Sequence, residues 1–119
     1  LEIALKLKSV CLILAAVQFF PINMSHALAQ AGIASVYSTE SGSRTASGGK
    51  LNPGALTAAH RSLPFGSRVK VTNRGNGRSV VVTVNDRGPF VRGRIIDVTP
   101  AAAHALGFSG LASVTVERE

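Results

Sequence analysis

The chain has 119 residues, with 13 Lys and Arg against 6 Asp and Glu, a formal charge of +7. That length suits a single domain. A single cysteine excludes a disulfide framework, and the one long apolar run, Val10–Phe20, is too short for a comfortable membrane span.

Lys6 and Lys8 precede that run, and a polar, small-residue stretch after it ends in Ala27-Leu28-Ala29. A charged start, an apolar middle and an A-x-A end describe a signal peptide over residues 1–29, cut after Ala29. An uncleaved anchor helix is the rival reading of the same residues. Cleavage leaves a domain over residues 30–119 and removes Cys11, which has no small residue directly before it and is not read as lipid-modified. The domain keeps eleven Lys and Arg against five Asp and Glu, a balance of +6. Such a domain, exported to the periplasm or cell envelope, is drawn to polyanions. Acidic lipid surfaces and the carboxylates of peptidoglycan are candidates, so peripheral association with the envelope is expected. Nucleic acid is not, because no aromatic platform interleaves with the arginines and no nucleic-acid motif appears. Many of these charges equally suit a solvated face.

Gly32–Ser38 reads as a first strand that ends on Tyr37. Thr39–Gly49, rich in Ser, Thr and Gly, is a loop, and a loop that long in a small domain is more often functional than idle. Asn52-Pro53-Gly54 is a turn. Ala55–His60 is ambiguous between strand and helix, and Pro64-Phe65-Gly66 turns again. Arg68–Asn73 alternates strictly, Arg74-Gly75-Asn76-Gly77 is a hairpin loop, and Ser79–Asn85 is the partner strand. The apolar run then breaks at Asn85-Asp86-Arg87-Gly88-Pro89. It resumes at Phe90-Val91, passes a second polar turn, and ends on Ile95-Ile96-Asp97. Thr99 caps a short helix with Pro100 in its first turn, three alanines inside and Gly107 as its stop. Ser113–Glu117 is a closing strand. Short strands with one or two short helices predict a mainly β fold, a small closed or nearly closed barrel.

Asp86 and Asp97 stand at the polar ends of apolar segments. A carboxylate at a strand end beside a cleft suits acid–base chemistry, and it equally suits holding turn amides. His60 is either a general acid–base or a structural histidine. With no Cys and two His after residue 29, no metal-ligand spacing appears. No nucleophilic serine motif and no phosphate loop appear either. Carboxylate and histidine chemistry in a polar groove suits a glycan.

Two segments, LTAAH-x-x-LP-x-G and VNDRGPF-x-x-x-RIID, together with GIASVYS and RTASGGKLN, resemble the rare lipoprotein A (RlpA) family over nearly all of Gly32–Glu117. The resemblance implies a six-stranded double-psi β-barrel. It implies an endolytic lytic transglycosylase that cleaves the MurNAc–GlcNAc bonds of peptidoglycan glycan strands and leaves 1,6-anhydro ends. It implies a monomer that uses no cofactor and no metal. Asp86 matches the family's acid–base carboxylate, which starts protonated, and His60 matches its groove histidine. Tyr37, Thr45, Asn85 and Asp97 match groove positions that orient sugar, and Arg87 is placed with them as a substrate-binding group. Where many relatives carry Glu this chain has Gly49, and where some carry Asp it has Asn52. That departure keeps a second reading open, a non-catalytic glycan-binding or expansin-like wall-loosening module. A protein-interaction domain is a third.

Overall fold

The computed structural model describes residues 29–37 and 43–119. The expected signal peptide and Cys11 lie outside the described residues, as does 38–42 of the first loop. Six strands are formed: β1 (Gln30–Val36), β2 (Thr57–His60), β3 (Arg68–Asn73), β4 (Ser79–Asp86), β5 (Arg94–Val98) and β6 (Leu111–Arg118). Among the described residues there is one helix, α1 (Pro100–Leu106). The strands close into a barrel in the order β1-β5-β2-β4-β3-β6. Closure leaves no unpaired sheet edge.

The alternation of β3 and β4 builds the core. Val69 and Val71 point inward while Arg68 and Lys70 face water. Val82 and Val84 meet them from β4, and Ala34, Ala58, Ile96, Val98, Val114 and Val116 fill the remaining inner positions. Of the six pairings, β1–β5 and β2–β4 are parallel and the rest antiparallel. The consecutive strands β1 and β2, β2 and β3, and β4 and β5 are not neighbours in the barrel, and the loops of the site are the segments that join them.

The ambiguous stretch before His60 is a strand because it is paired on both sides. Ala58 faces Val98 of β5 and Val84 of β4. The end strands run longer than their alternation suggests, since Gln30 pairs with Val116 and β6 continues along β3 to Arg118. Phe90 and Val91 do not join a strand. Gly88 has a φ of +119° and Pro89 offers no amide donor, so the ladder resumes only at Arg94.

Helix α1 ends as its residues predict. Thr99 Oγ1 accepts from Ala102 N at 3.4 Å and donates to Ala55 O at 2.5 Å. At the other end Gly107 takes the left-handed conformation, and Phe108 N donates to Ala103 O at 3.1 Å. The carbonyl of Leu106 would be left without an intrahelical donor. Asn73 and Asn76, on the β3–β4 hairpin, each donate to it at 2.9 Å. The hairpin therefore pins the helix that lays Ala102, Ala103 and Leu106 on the core.

Leu106 is fully buried. Leu106→Ala is expected to destabilise the domain by about 2–5 kcal/mol, lowering its melting temperature by about 8 °C or more. Thermal melts followed by circular dichroism measure this, and an unchanged midpoint contradicts the packing described.

Candidate active site

Four strands contribute one side chain each to a single row. Ser35 of β1 pairs with Asp97 of β5, Asp97 with Ala59 of β2, and Ala59 with Asp86 of β4. Directly paired residues project to the same face. Their neighbours Ala34, Ile96, Val98 and Ala58 belong to the core, so the row lies on the face away from it. The last pairing depends on an irregularity in the ladder. Ala58 pairs with Val84, the ladder then passes over Asn85, and Ala59 meets Asp86. A one-residue slip in a period-two strand exchanges faces, so the irregularity is what turns Asp86 into the row. Adjacent strands lie about 4.8 Å apart, which separates β4 from β5, on either side of Ala59, by about 10 Å.

Asp86 is held by three donors. Its Oδ1 accepts from Ala46 N and from Arg87 N, both at 2.8 Å. Its Oδ2 accepts from the Tyr37 hydroxyl at 3.2 Å. Ala46 lies in a small hairpin closed by the Arg44–Lys50 bridge, and Ser47 N also donates to Asn85 O at 3.3 Å. That hairpin is thereby fastened to the end of β4. Burial, then the charge of Asp86, the hydrogen bond to it and the charge of Asp97 push the Tyr37 phenol far above its ordinary range. Tyr37 therefore remains a proton donor to Asp86. Asp97 accepts a short hydrogen bond from the Ser35 hydroxyl.

The structure brings Asp86, Tyr37 and Asp97 together and puts Asn85 beside them. The Asn85 side-chain oxygen is buried and has no hydrogen-bond partner. Thr45 is buried, and its hydroxyl shares a 2.9 Å hydrogen bond with Ser47 and donates to Gly49 O at 3.4 Å. It shapes the hairpin from within. Arg87 turns away from Asp86. Its Nη1 donates to His60 O at 3.2 Å and to Leu63 O at 2.8 Å, and its guanidinium lies 4.0 Å above the Phe65 ring. It clamps the 60–65 turn.

His60 has both ring nitrogens engaged away from Asp86. Nδ1 accepts from Ser62 N and Leu63 N at 3.1 and 3.2 Å, so Nε2 carries the proton and donates to Gln30 Oε1 at 3.0 Å. The ring borders a pocket of about 380 Å³ that also involves Gln30, Leu63, Val116 and Arg118, and no member of the row lines it. The link from His60 to Asp86 runs through its carbonyl and Arg87.

Ser35, Ala46 and Gln30 take part without having stood out in the sequence. Ala46 acts through its amide, and Ser35 and Gln30 act through partners 62 and 30 residues away. Nothing local signals them. Among the described residues no group of three His, Cys, Asp or Glu comes together.

The lytic transglycolase family matches residues 29–117 of this sequence. The chain belongs to that family. It is similar to a protein named probable endolytic peptidoglycan transglycosylase RlpA from Nostoc sp. strain PCC 7120, 59% identical over 91 residues, which covers 72% of this chain and 24% of that protein. A relative of the same name from Synechocystis sp. strain PCC 6803 is 51% identical over 111 residues, covering 87% and 35%. Endolytic peptidoglycan transglycosylase RlpA from Yersinia pestis is 51% identical over 89 residues, covering 74% and 25%. The chain thus spans a quarter to a third of the length of these relatives. Among solved structures, apo expansin from Clavibacter michiganensis superposes with a TM-score of 0.61 at 22% identity, over 77% of this chain and 50% of that one. The Streptomyces papain inhibitor superposes at 0.54 and 23%, over 77% and 97%. The family's fold is the double-psi β-barrel, and the closed six-stranded barrel here is one.

Burial, and then the charges of Arg61 and Arg87, hold the His60 ring below its ordinary 6.5. The unfolded chain therefore binds this proton at a higher pH than the native one. Stability from His60 is complete above about pH 6.5 and is lost as pH falls below it. Melting temperatures between pH 8 and 5.5 are expected to fall on the acid side, with a shallower slope in His60→Gln. Equal slopes in the two proteins contradict the assignment.

Proposed function

We propose that this domain is an endolytic lytic transglycosylase of peptidoglycan, with Asp86 as its acid–base group. The observation that carries the reading is the Asp86 carboxyl itself, turned into the row by the slipped ladder and fixed by three donors. The names of the relatives support the substrate. In this reading Asp86 gives a proton to the glycosidic oxygen as the bond to the anomeric carbon breaks. The 6-hydroxyl of the same muramyl residue attacks that carbon and passes its proton to the Asp86 carboxylate. One C–O bond breaks, one forms, no water is consumed, and the carboxyl ends as it began.

The remaining groups position. Tyr37 holds Oδ2, and Asn85 joins the 44–50 hairpin to the site through its carbonyl, which accepts from Ser47 N. Asp97, tied to Ser35, borders the other side of the row. Arg87 and His60 keep the 60–65 turn in place and act on the site through it. No cofactor enters these steps. The domain works as an exported monomer at the cell envelope, with a mature N-terminus at Gln30. N-terminal sequencing of envelope protein that begins before Gln30 contradicts the cleavage.

The binding-module reading draws on one feature, the missing carboxylates at Gly49 and Asn52. The structure bears on its test. Gly49 has no positive φ, and a Cβ there would meet only the Thr45 hydroxyl at 3.8 Å, so a side chain fits.

Purified sacculi incubated with the protein are expected to release muropeptides with 1,6-anhydro ends, read by mass spectrometry. Asp86→Asn is expected to fold, bind, and lose turnover about a hundredfold or more. Gly49→Glu is expected to raise turnover. An Asp86→Asn protein that works at the parental rate removes the catalytic assignment. A parent that binds sacculi and releases no anhydro ends favours the binding module.

A further inference from the structure

We propose that the 87–93 loop carries a sugar-stacking subsite, with the Phe90 ring as platform for a pyranose of the strand bound at Asp86. The inference rests on a glycan being the ligand, and it adds a residue to which no role has been given. Phe90 is 79% exposed, the most exposed large hydrophobic side chain among the described residues. A single exposed apolar residue ordinarily calls for no explanation. Here the surroundings call for one.

The loop that carries the ring is held rather than loose. Gly88 and Pro89 are buried. Arg87 is clamped to the carbonyls of His60 and Leu63. At the far end Arg94 N donates to Val91 O and Ile33 N to Gly93 O, both at 3.1 Å. Gly88 has a φ of +119°, and a Cβ at that position would stand 3.6 Å from the ring. The backbone that carries the ring is thus held, and the ring itself is open to solvent. A ring carried on a held backbone spares the loop's ordering cost on contact.

Its place follows from the chain. Phe90 stands four positions after Asp86, so the backbone between them spans at most about 14 Å. Arg87, next to Asp86, is anchored on one side of that span and Gly93 on the other. A pyranose has C–H groups on its faces and hydroxyls at its edge. Asp86 and Tyr37 supply polar partners for an edge, and Phe90, with no polar atom, can only take a face. Apolar packing on a ring with a few polar groups to fix orientation is how small-ligand sites divide their work.

The test uses the full chain in an Asp86→Asn background, so that binding is read without turnover. Co-sedimentation with purified sacculi is measured for Phe90→Ala and Phe90→Tyr. Phe90→Ala is expected to weaken binding on the order of tenfold. Phe90→Tyr, which keeps the ring, is expected to bind like the parent, and both variants are expected to melt at the parental temperature because the side chain packs on little. In the otherwise unaltered chain Phe90→Ala raises KM and leaves kcat in place. Phe90→Ala that sediments like its parent overturns the subsite. So does a variant that keeps sacculus binding and loses only binding to anionic lipid vesicles, which assigns the ring to a membrane. Weakened sacculus binding in a protein whose Asp86 form releases no anhydro ends keeps the subsite and removes the transglycosylase reading.

Discussion

Strand β2 is four residues long and is gripped on both sides by neighbours of opposite sense, antiparallel to β5 and parallel to β4. The site depends on that arrangement. It places one small residue, Ala59, between two carboxylates whose strands, β4 and β5, follow one another in sequence and do not pair with each other. Ala59 is almost wholly buried, and its methyl is the floor between Asp97 and Asp86. A larger side chain there would occupy the space between the two acids. The slip after Ala58 completes the placement by bringing Asp86 rather than Asn85 to that floor. A regular ladder would give the same barrel and a different surface.

The barrel contributes rigidity and little chemistry. Its inner positions are Val, Ile and Ala, and its closure satisfies the strand backbones on both sides. What remains for function is the rim, where the 44–50, 60–65 and 87–93 segments join strands that are consecutive in sequence. Those loops are tied down by a few charged or polar contacts. Asp86 fastens the 44–50 hairpin through Ala46, Arg87 fastens the 60–65 turn, and His60 fastens the same turn from its other side. Residues that resemble catalytic groups thus also carry structural duty. For His60 the structural duty accounts for both ring nitrogens.

Parts of this were legible in the sequence for definite reasons. Strict alternation gave β3 and β4, Asn-Gly gave their hairpin, and Thr99, Pro100 and Gly107 bounded the helix, because each signal is local. Strand β2 was ambiguous since four residues show little period, and its identity comes from pairing on both sides. Phe90-Val91 looked like a strand resuming because local pattern does not register the backbone turn at Gly88. Asp86 was visible as an acid at a strand end. Its partners Tyr37 and Ala46 lie 49 and 40 residues earlier, so their contact was open only to resemblance or to structure. The slip that turns Asp86 outward leaves no mark in the residues themselves.

The double duty of Asp86 decides which substitution separates its chemistry from its scaffolding. Oδ1 accepts two backbone amides, and Oδ2 accepts one hydroxyl. An alanine removes both acceptor oxygens and all three hydrogen bonds at once, releasing both the hairpin amide of Ala46 and the phenol of Tyr37. Loss of activity would then follow from a displaced rim as readily as from a missing proton. Asparagine behaves differently. With its amide oxygen at the Oδ1 position it still accepts from Ala46 N and Arg87 N. Its NH2 then faces the Tyr37 oxygen, and a phenol can accept as well as donate, so that contact survives by reversing direction. What is removed is the charge of the carboxylate and, with it, the ability to carry a proton to one oxygen and take it from another. The same reasoning orders the neighbours. Tyr37→Phe removes a donor to Oδ2 and leaves Oδ1 in place, so it changes how tightly the carboxyl is aimed while the hairpin remains fastened.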